Sequence, residues 1–367
     1  MGARAIPVTG PHRTAGRRWW LLVLVVVAAV VVTVALTYLT IELPRWLAGL
    51  VEEWVEIPGY RRAIEPEDLQ QYNEIGRRSW AAVSRFIEAN HLYAIAWACL
   101  GLAGAAIVAG LVLRRGAVAA LGAFAIFLPV LGSYGGSMVF LVGIGILRVV
   151  WLPAWGTGIM ALGDVAYVPY MAVVWPAWQA GLDVRLALAY LAVGVGLLIF
   201  VVATAQWFAG HLSGTPQQTG GVYRYSRHPQ YLGWIAWSWG MTLHSALQPM
   251  PYGGFNPGGA LAWTIATIVI VAVAWVEEGR MIDAQVSGYA AYRARTPFLL
   301  PLPGSVRRLI GAPLRLVSSD GLPRRGRQVL LAAFLYLGLA MLLSLPFAVL
   351  DWPPLDWWAW PGYAWNF

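Results

Sequence analysis

The chain contains no lysine: all 25 of its basic residues are arginine, which excludes a Schiff-base lysine and a P-loop lysine. It has one cysteine, Cys99, inside an apolar run, so disulfides, zinc knuckles and thiol relays are out. Cys99 reads as a small apolar helix residue. Charge is scarce, at 11% of residues against 59% hydrophobic, a balance that no ordinary soluble domain shows. The histidines His12, His91, His211 and His244 are scattered and no His-x-x-x-His pair occurs, which disfavours iron-dependent oxidation and zinc hydrolysis, and no metal site is expected. A Gly-x-Ser-x-Gly elbow is also missing, which weighs against a serine hydrolase.

What the chain has is apolar runs of about 20 residues, long enough to cross a bilayer. They fall at about 19–41, 91–113, 117–133, 136–151, 157–178, 185–208, 231–247, 260–276 and 328–350. The expected fold is therefore all-α and polytopic, with about nine transmembrane helices (8–10). The first run exceeds the usual signal-peptide core of about 7–15 residues and reads as a retained span. The net charge of +8 does not point to nucleic acid, because the arginines sit in short clusters between apolar runs. That bias puts the N-terminus, Arg224, Arg227 and the stretch from Arg280 to Arg327 in the cytoplasm of a cell, expected to be bacterial, whose inner membrane holds the chain. Residues 42–90 form the only long polar stretch. Pro66-Glu67-Asp68 followed by Leu69, Tyr72, Ile75, Trp80, Val83 and Ile87 reads as an amphipathic helix on the outer surface, a membrane cover or a partner-binding element. The Trp-rich tail from Asp351 is an outer-interface anchor. The Gly-x-Gly pairs at 143/145 and 194/196 lie in mid-span and read as close helix packing.

The densest polar cluster is Gly220-Gly-Val-Tyr223-Arg224-Tyr225-Ser-Arg227-His228-Pro229-Gln-Tyr231-Leu-Gly233-Trp234, between two apolar runs. After one apolar hairpin with a Pro/Gly-rich turn at 248–259, Glu277-Glu278 return to the same membrane face. Taken singly, the arginines read as topology anchors, His228 as a loop residue and Pro229 as a first-turn helix residue. The glutamates are harder to dismiss, since carboxylates at a helix C-terminus oppose the macrodipole. Together, guanidinium, carboxylate and aromatic groups can hold a zwitterionic cofactor. Ionisable clusters beside hydrocarbon are function candidates.

Arg227-His228-Pro229-x-Tyr231-x-Gly233, the hairpin, Glu277-Glu278 and the trailing Gly288-Tyr-x-x-Tyr292-Arg293-x-x-x-Pro297 with Pro301 resemble the C-terminal core of the integral-membrane methyltransferases. These include isoprenylcysteine carboxyl methyltransferase and bacterial phospholipid N-methyltransferases. The resemblance covers residues 205–305, dividing the chain into an N-terminal membrane region (1–204), this core, and a basic linker with the last span and tail (306–367). It implies S-adenosyl-L-methionine as cofactor, bound at the cytosolic face. His228, Tyr231, Gly233 and Glu277 or Glu278 would contact the donor, with Arg227, Tyr292 and Arg293 closing the pocket. Tyr223, Arg224 and Pro229 belong to the same candidate cofactor-binding set.

Methyl transfer from a sulfonium is an in-line displacement, so such a site supplies mainly orientation and desolvation. Tyr223, Tyr225, Tyr231 and Trp234 are candidates for cation–π contact with the methyl. If the acceptor is an amine, a glutamate (Glu277 or Glu278) is the expected base, with His228 second. A carboxylate or thiolate acceptor needs none. The expected partner is a lipid or lipophilic small molecule in the bilayer, with phospholipid amines first and prenyl-type carboxylates or thiols second. Two other readings stand beside this one: an NADPH-dependent reductase of the sterol-reductase type, and a non-catalytic transporter or scaffold.

Overall fold

The computed structural model describes residues 12–52, 84–131, 143–154, 157–214, 218–247, 260–286, 288–319 and 321–350. Most of the polar stretch 42–90, the hairpin turn at 248–259 and the Trp-rich tail lie outside the described residues. The described chain is helical throughout, as a bilayer demands of a chain that must satisfy its own backbone groups. Its α-helices are α1 (His12–Glu52), α2 (Leu92–Val112), α3 (Gly116–Leu131), α4 (Val168–Gln179), α5 (Arg185–Leu212), α6 (Pro229–Ala246), α7 (Leu261–Asp283), α8 (Tyr289–Arg295), α9 (Gly304–Val317) and α10 (Gly326–Leu350). Two 3₁₀ stretches, Gly143–Ala154 and Ile159–Tyr167, lie between α3 and α4.

Six segments among the described residues are long and apolar enough to cross a membrane: Trp19–Leu39, Leu92–Val112, Ile159–Gln179, Arg185–Leu212, Leu261–Asp283 and Gly326–Val349. This is a polytopic membrane protein. The expected span 117–133 is a shorter apolar helix, α3, with Pro129 inside it. The expected span 136–151 lies partly outside the described residues. Its described part is 3₁₀, and Trp151 donates its indole N–H to Ile126 O near the far end of α3 (2.8 Å).

Ile159–Gln179 takes an unexpected course. Near its start, Asp164 Oδ1 accepts the N–H of Ala260, the residue just before α7 (2.8 Å). Near its other end, Trp178 stacks under the Arg185 guanidinium at the start of α5 (4.6 Å). Both ends therefore meet the same end of the bundle, and the segment runs along that end instead of through it. At this turn, hydrogen bonding to Arg185 holds the Asp183 carboxyl below its usual range.

α7 is the central helix, with two thirds of its apolar window buried, against about a fifth for α2, α5 and α10. It packs with α3, α6 and α10 in a core that includes Phe127, Trp237, Ala272, Val276 and Val329. α5 and α6 approach unusually closely. A Cβ on Gly196 would lie 2.2 Å from Trp237 N, and one on Gly233 2.6 Å from Phe200 N. Small residues at such seams let backbones touch, the main source of packing energy between helices in lipid. Because α6 and α7 are antiparallel, the start of α6 and the end of α7 share one end of the bundle, where α8 and the start of α10 also lie.

Candidate functional site

At that shared end, α6 opens with His228 as N-cap and Pro229 at its first position, where the missing N–H costs nothing. The turn before it is fixed from two sides. Arg227 N–H donates to Pro297 O (3.0 Å), and Val222 N–H donates to Gln206 Oε1 of α5 (3.0 Å). Gly221, at φ 54°, is the residue where this turn needs the left-handed region.

The structure brings the arginine–histidine turn and the acidic pair together. Glu278 is completely buried, and Arg227 Nη1 lies 3.1 Å from each of its carboxylate oxygens. His228 Nε2–H donates to Glu278 Oε1 at 3.1 Å, and Arg293 Nε lies 3.8 Å from Oε2. Glu277, one residue earlier and so about 100° around the helix, faces elsewhere. It accepts the Tyr231 hydroxyl (2.5 Å), sits 3.9 Å from His228 Nδ1, and is 40% exposed. The two glutamates are therefore different in kind, one caged by cations and one at the surface.

Burial pulls the Arg227 guanidinium below its ordinary value, opposed by the Glu278 charge. The same desolvation raises the Tyr289 hydroxyl, reinforced by Glu278, and pushes Tyr292 up to about 12. Both tyrosines stay neutral donors. Tyr292 donates to Tyr223 O (2.7 Å), tying α8 across the turn, while the Tyr223 hydroxyl donates to Gln230 Oε1 (3.2 Å). Tyr292→Phe leaves that carbonyl without its donor. We expect a loss of about 1–3 kcal/mol, measurable as a lowered thermal midpoint in detergent.

Arg227, Glu278 and Arg293 form the polar end of a cavity of about 830 Å³. Trp275 and Ile268 of α7, Phe298 and Leu300 of the loop after α8, and Tyr336 of α10 supply much of the rest. His228 meets Phe298 edge-on (5.1 Å), and Phe298 lies near-parallel to Trp275 (6.2 Å). Such a concave, mostly apolar space with a few convergent polar groups is where a small ligand binds by default.

Several expected site residues lie elsewhere. Arg224 and Tyr225 are exposed, Gly233 sits on the α5–α6 seam, and Trp234 packs edge-on against Phe124 and Phe127. Tyr223 and Pro229 are buried and serve the turn and the helix start. Trp275 and Phe298 were not anticipated. The available signal was position: Trp275 is three residues before Glu278, hence on its face, and Phe298 follows the Pro297 that receives Arg227. Among the described residues no group of His, Cys, Asp or Glu could hold a metal ion.

Residues 187–248 match the model of the isoprenylcysteine carboxyl methyltransferase (ICMT) family. The match spans nearly all of α5, the arginine–histidine turn and α6, and ends before the acidic pair on α7. No curated protein and no solved structure matches the chain. The chain thus carries a domain of an integral-membrane methyltransferase family, and it is an S-adenosyl-L-methionine-dependent methyltransferase.

Proposed function

We propose that the chain methylates a lipophilic, membrane-partitioned acceptor in the cavity that ends at Arg227, Glu278 and Arg293. The observation that carries this reading is the wholly buried Glu278, gripped by Arg227 and His228 at the mouth of a largely apolar space. The residues fit S-adenosyl-L-methionine. Arg227 Nε is buried without a hydrogen-bond partner among the described residues, a donor that a carboxylate would satisfy. Glu278 and the faces of Trp275 and Phe298 suit an ammonium and a sulfonium. When bound, the cofactor supplies an electrophilic methyl on a sulfonium. The chain's residues orient it and exclude water; charge is dispersed in the displacement, which an apolar pocket favours.

The acceptor follows from where the carboxylates lie. Glu278 is the only carboxylate among the described residues lining the cavity, and two arginines and a histidine contact it. Both of its oxygens are already engaged by Arg227 and His228. Glu277 is not among the lining residues. This favours a carboxylate or thiolate acceptor, which needs no base, over the phospholipid amine placed first on sequence alone. Arg227 and Arg293 orient the donor, and Glu278 positions them.

The arginine bias supports a site and N-terminus on the cytoplasmic side of a bacterial inner membrane. Among the described residues we take seven crossings (α1, α2, α3, α5, α6, α7 and α10), because Ile159–Gln179 runs along the far end. The family match from residue 187 supports a catalytic core that takes in α5 as well as residues 205–305.

Transfer of tritiated methyl from S-adenosyl-L-methionine to membrane lipids by the purified protein tests the reading. Label released by alkali as methanol is expected from a methyl ester, or alkali-stable label on sulfur from a thiolate acceptor. Alkali-stable label in phospholipid amines would restore the amine reading. Hydride transfer from NADPH without methyl transfer would support the reductase instead.

A further inference from the structure

α9 has no buried residue, yet its exposed side is strongly apolar: Leu309 is 75% exposed and Leu316 81%. At 100° per residue, Val306, Leu309, Pro313 and Leu316 share one side and Arg308 and Arg315 the opposite one. Among the described residues, no acidic side chain pairs with Arg307, Arg308 or Arg315. The helix is also held beside a span. Tyr336, about 15 Å along α10 from Gly326 at ~1.5 Å per residue, donates its hydroxyl to Ile310 O. α9 therefore lies beside roughly the first three turns of a membrane helix, on the flank where in-plane helices meet the headgroup boundary. A helix wholly in water would not carry these leucines bare, and one within hydrocarbon would not carry the arginines.

We propose that α9 is an in-plane anchor that docks on an anionic bilayer surface at the site's end of the bundle. Leu309 and Leu316 enter the acyl region, and Arg308 and Arg315 sit among acidic headgroups. The charge decides the partner: Arg308 and Arg315, with no acidic partner among the described residues, complement phosphate-bearing lipids and not a neutral surface. Through Ile310, Gly311 and Leu314 the same helix forms one wall of the cavity, so docking fixes that wall at the leaflet.

The test uses the full chain in nanodiscs, with Cys99→Ala and Leu316→Cys carrying an environment-sensitive dye. In bilayers containing phosphatidylglycerol, the dye is expected to be quenched by lipid-borne nitroxide. Arg308→Gln with Arg315→Gln should shift the docked-to-undocked ratio about 30-fold, roughly fivefold per arginine. Phosphatidylcholine alone should behave like that variant. Leu309→Asp, at a position outside the cavity wall, should undock the helix in either bilayer without lowering the thermal midpoint. A dye exposed to water in anionic bilayers would overturn the proposal, as would quenching that ignores both lipid charge and the arginine substitutions. Because insertion is read without donor or acceptor, its failure is distinct from failure of the methyltransferase reading.

Discussion

Glu278→Ala is expected to abolish methyl transfer and to destabilise the protein by about 3–5 kcal/mol, the usual cost of stranding one partner of a buried ion pair. The loss arises because Arg227, itself only 10% exposed, keeps its charge with no carboxylate beside it. The double variant Arg227→Met/Glu278→Leu separates structure from function. Replacing both charges by apolar groups of similar volume is often near neutral for stability, so part of the thermal midpoint should return, His228 and Arg293 still lacking their carboxylate. Cofactor binding should not, because the guanidinium is gone. If the double variant regained binding along with stability, the cluster would be a structural plug and the site would lie elsewhere.

The second large effect is expected far from the chemistry. Gly196→Ala places a methyl 2.2 Å from the Trp237 backbone nitrogen, where no side-chain rotation can relieve it. α5 and α6 must separate, and overpacking of this kind costs about 1–3 kcal/mol or more. The neighbouring Gly194→Ala meets nothing within 4 Å and should be neutral, or gain up to about 1 kcal/mol from helix propensity. Paired unfolding measurements in one detergent would read the contrast. Equal behaviour of the two variants would mean that the seam is looser than described.

The meeting of Arg227 and His228 with the acidic pair was legible in the sequence, because a Pro/Gly turn between two apolar runs makes an antiparallel hairpin. Such a hairpin brings the residue before its first helix to the residue ending its second. Which glutamate turns inward was not legible: that is the rotational phase of α7, set by packing against α3, α6 and α10. Trp275 and Phe298 escaped notice because aromatic residues are common along this chain, and the 21 tryptophans include exposed ones such as Trp19, Trp20 and Trp97. Gly233 read as a cofactor contact because it falls within the motif, whereas its backbone approach is to Phe200. Hydropathy reports whether a segment tolerates hydrocarbon, and Ile159–Gln179 does so while Asp164 and Trp178 both meet the same end of the bundle.

The most direct test of the central claim is calorimetric titration of S-adenosyl-L-methionine into the nanodisc-held wild type, Arg293→Ala and Glu278→Gln proteins, with NADPH as comparison. Binding to wild type, competed by S-adenosylhomocysteine and weakened at least about tenfold in both variants, is the predicted result; tenfold is about 1.4 kcal/mol, less than a typical charged hydrogen bond contributes. Binding that neither substitution alters, or tight binding of NADPH with none of the sulfonium cofactor, would contradict it.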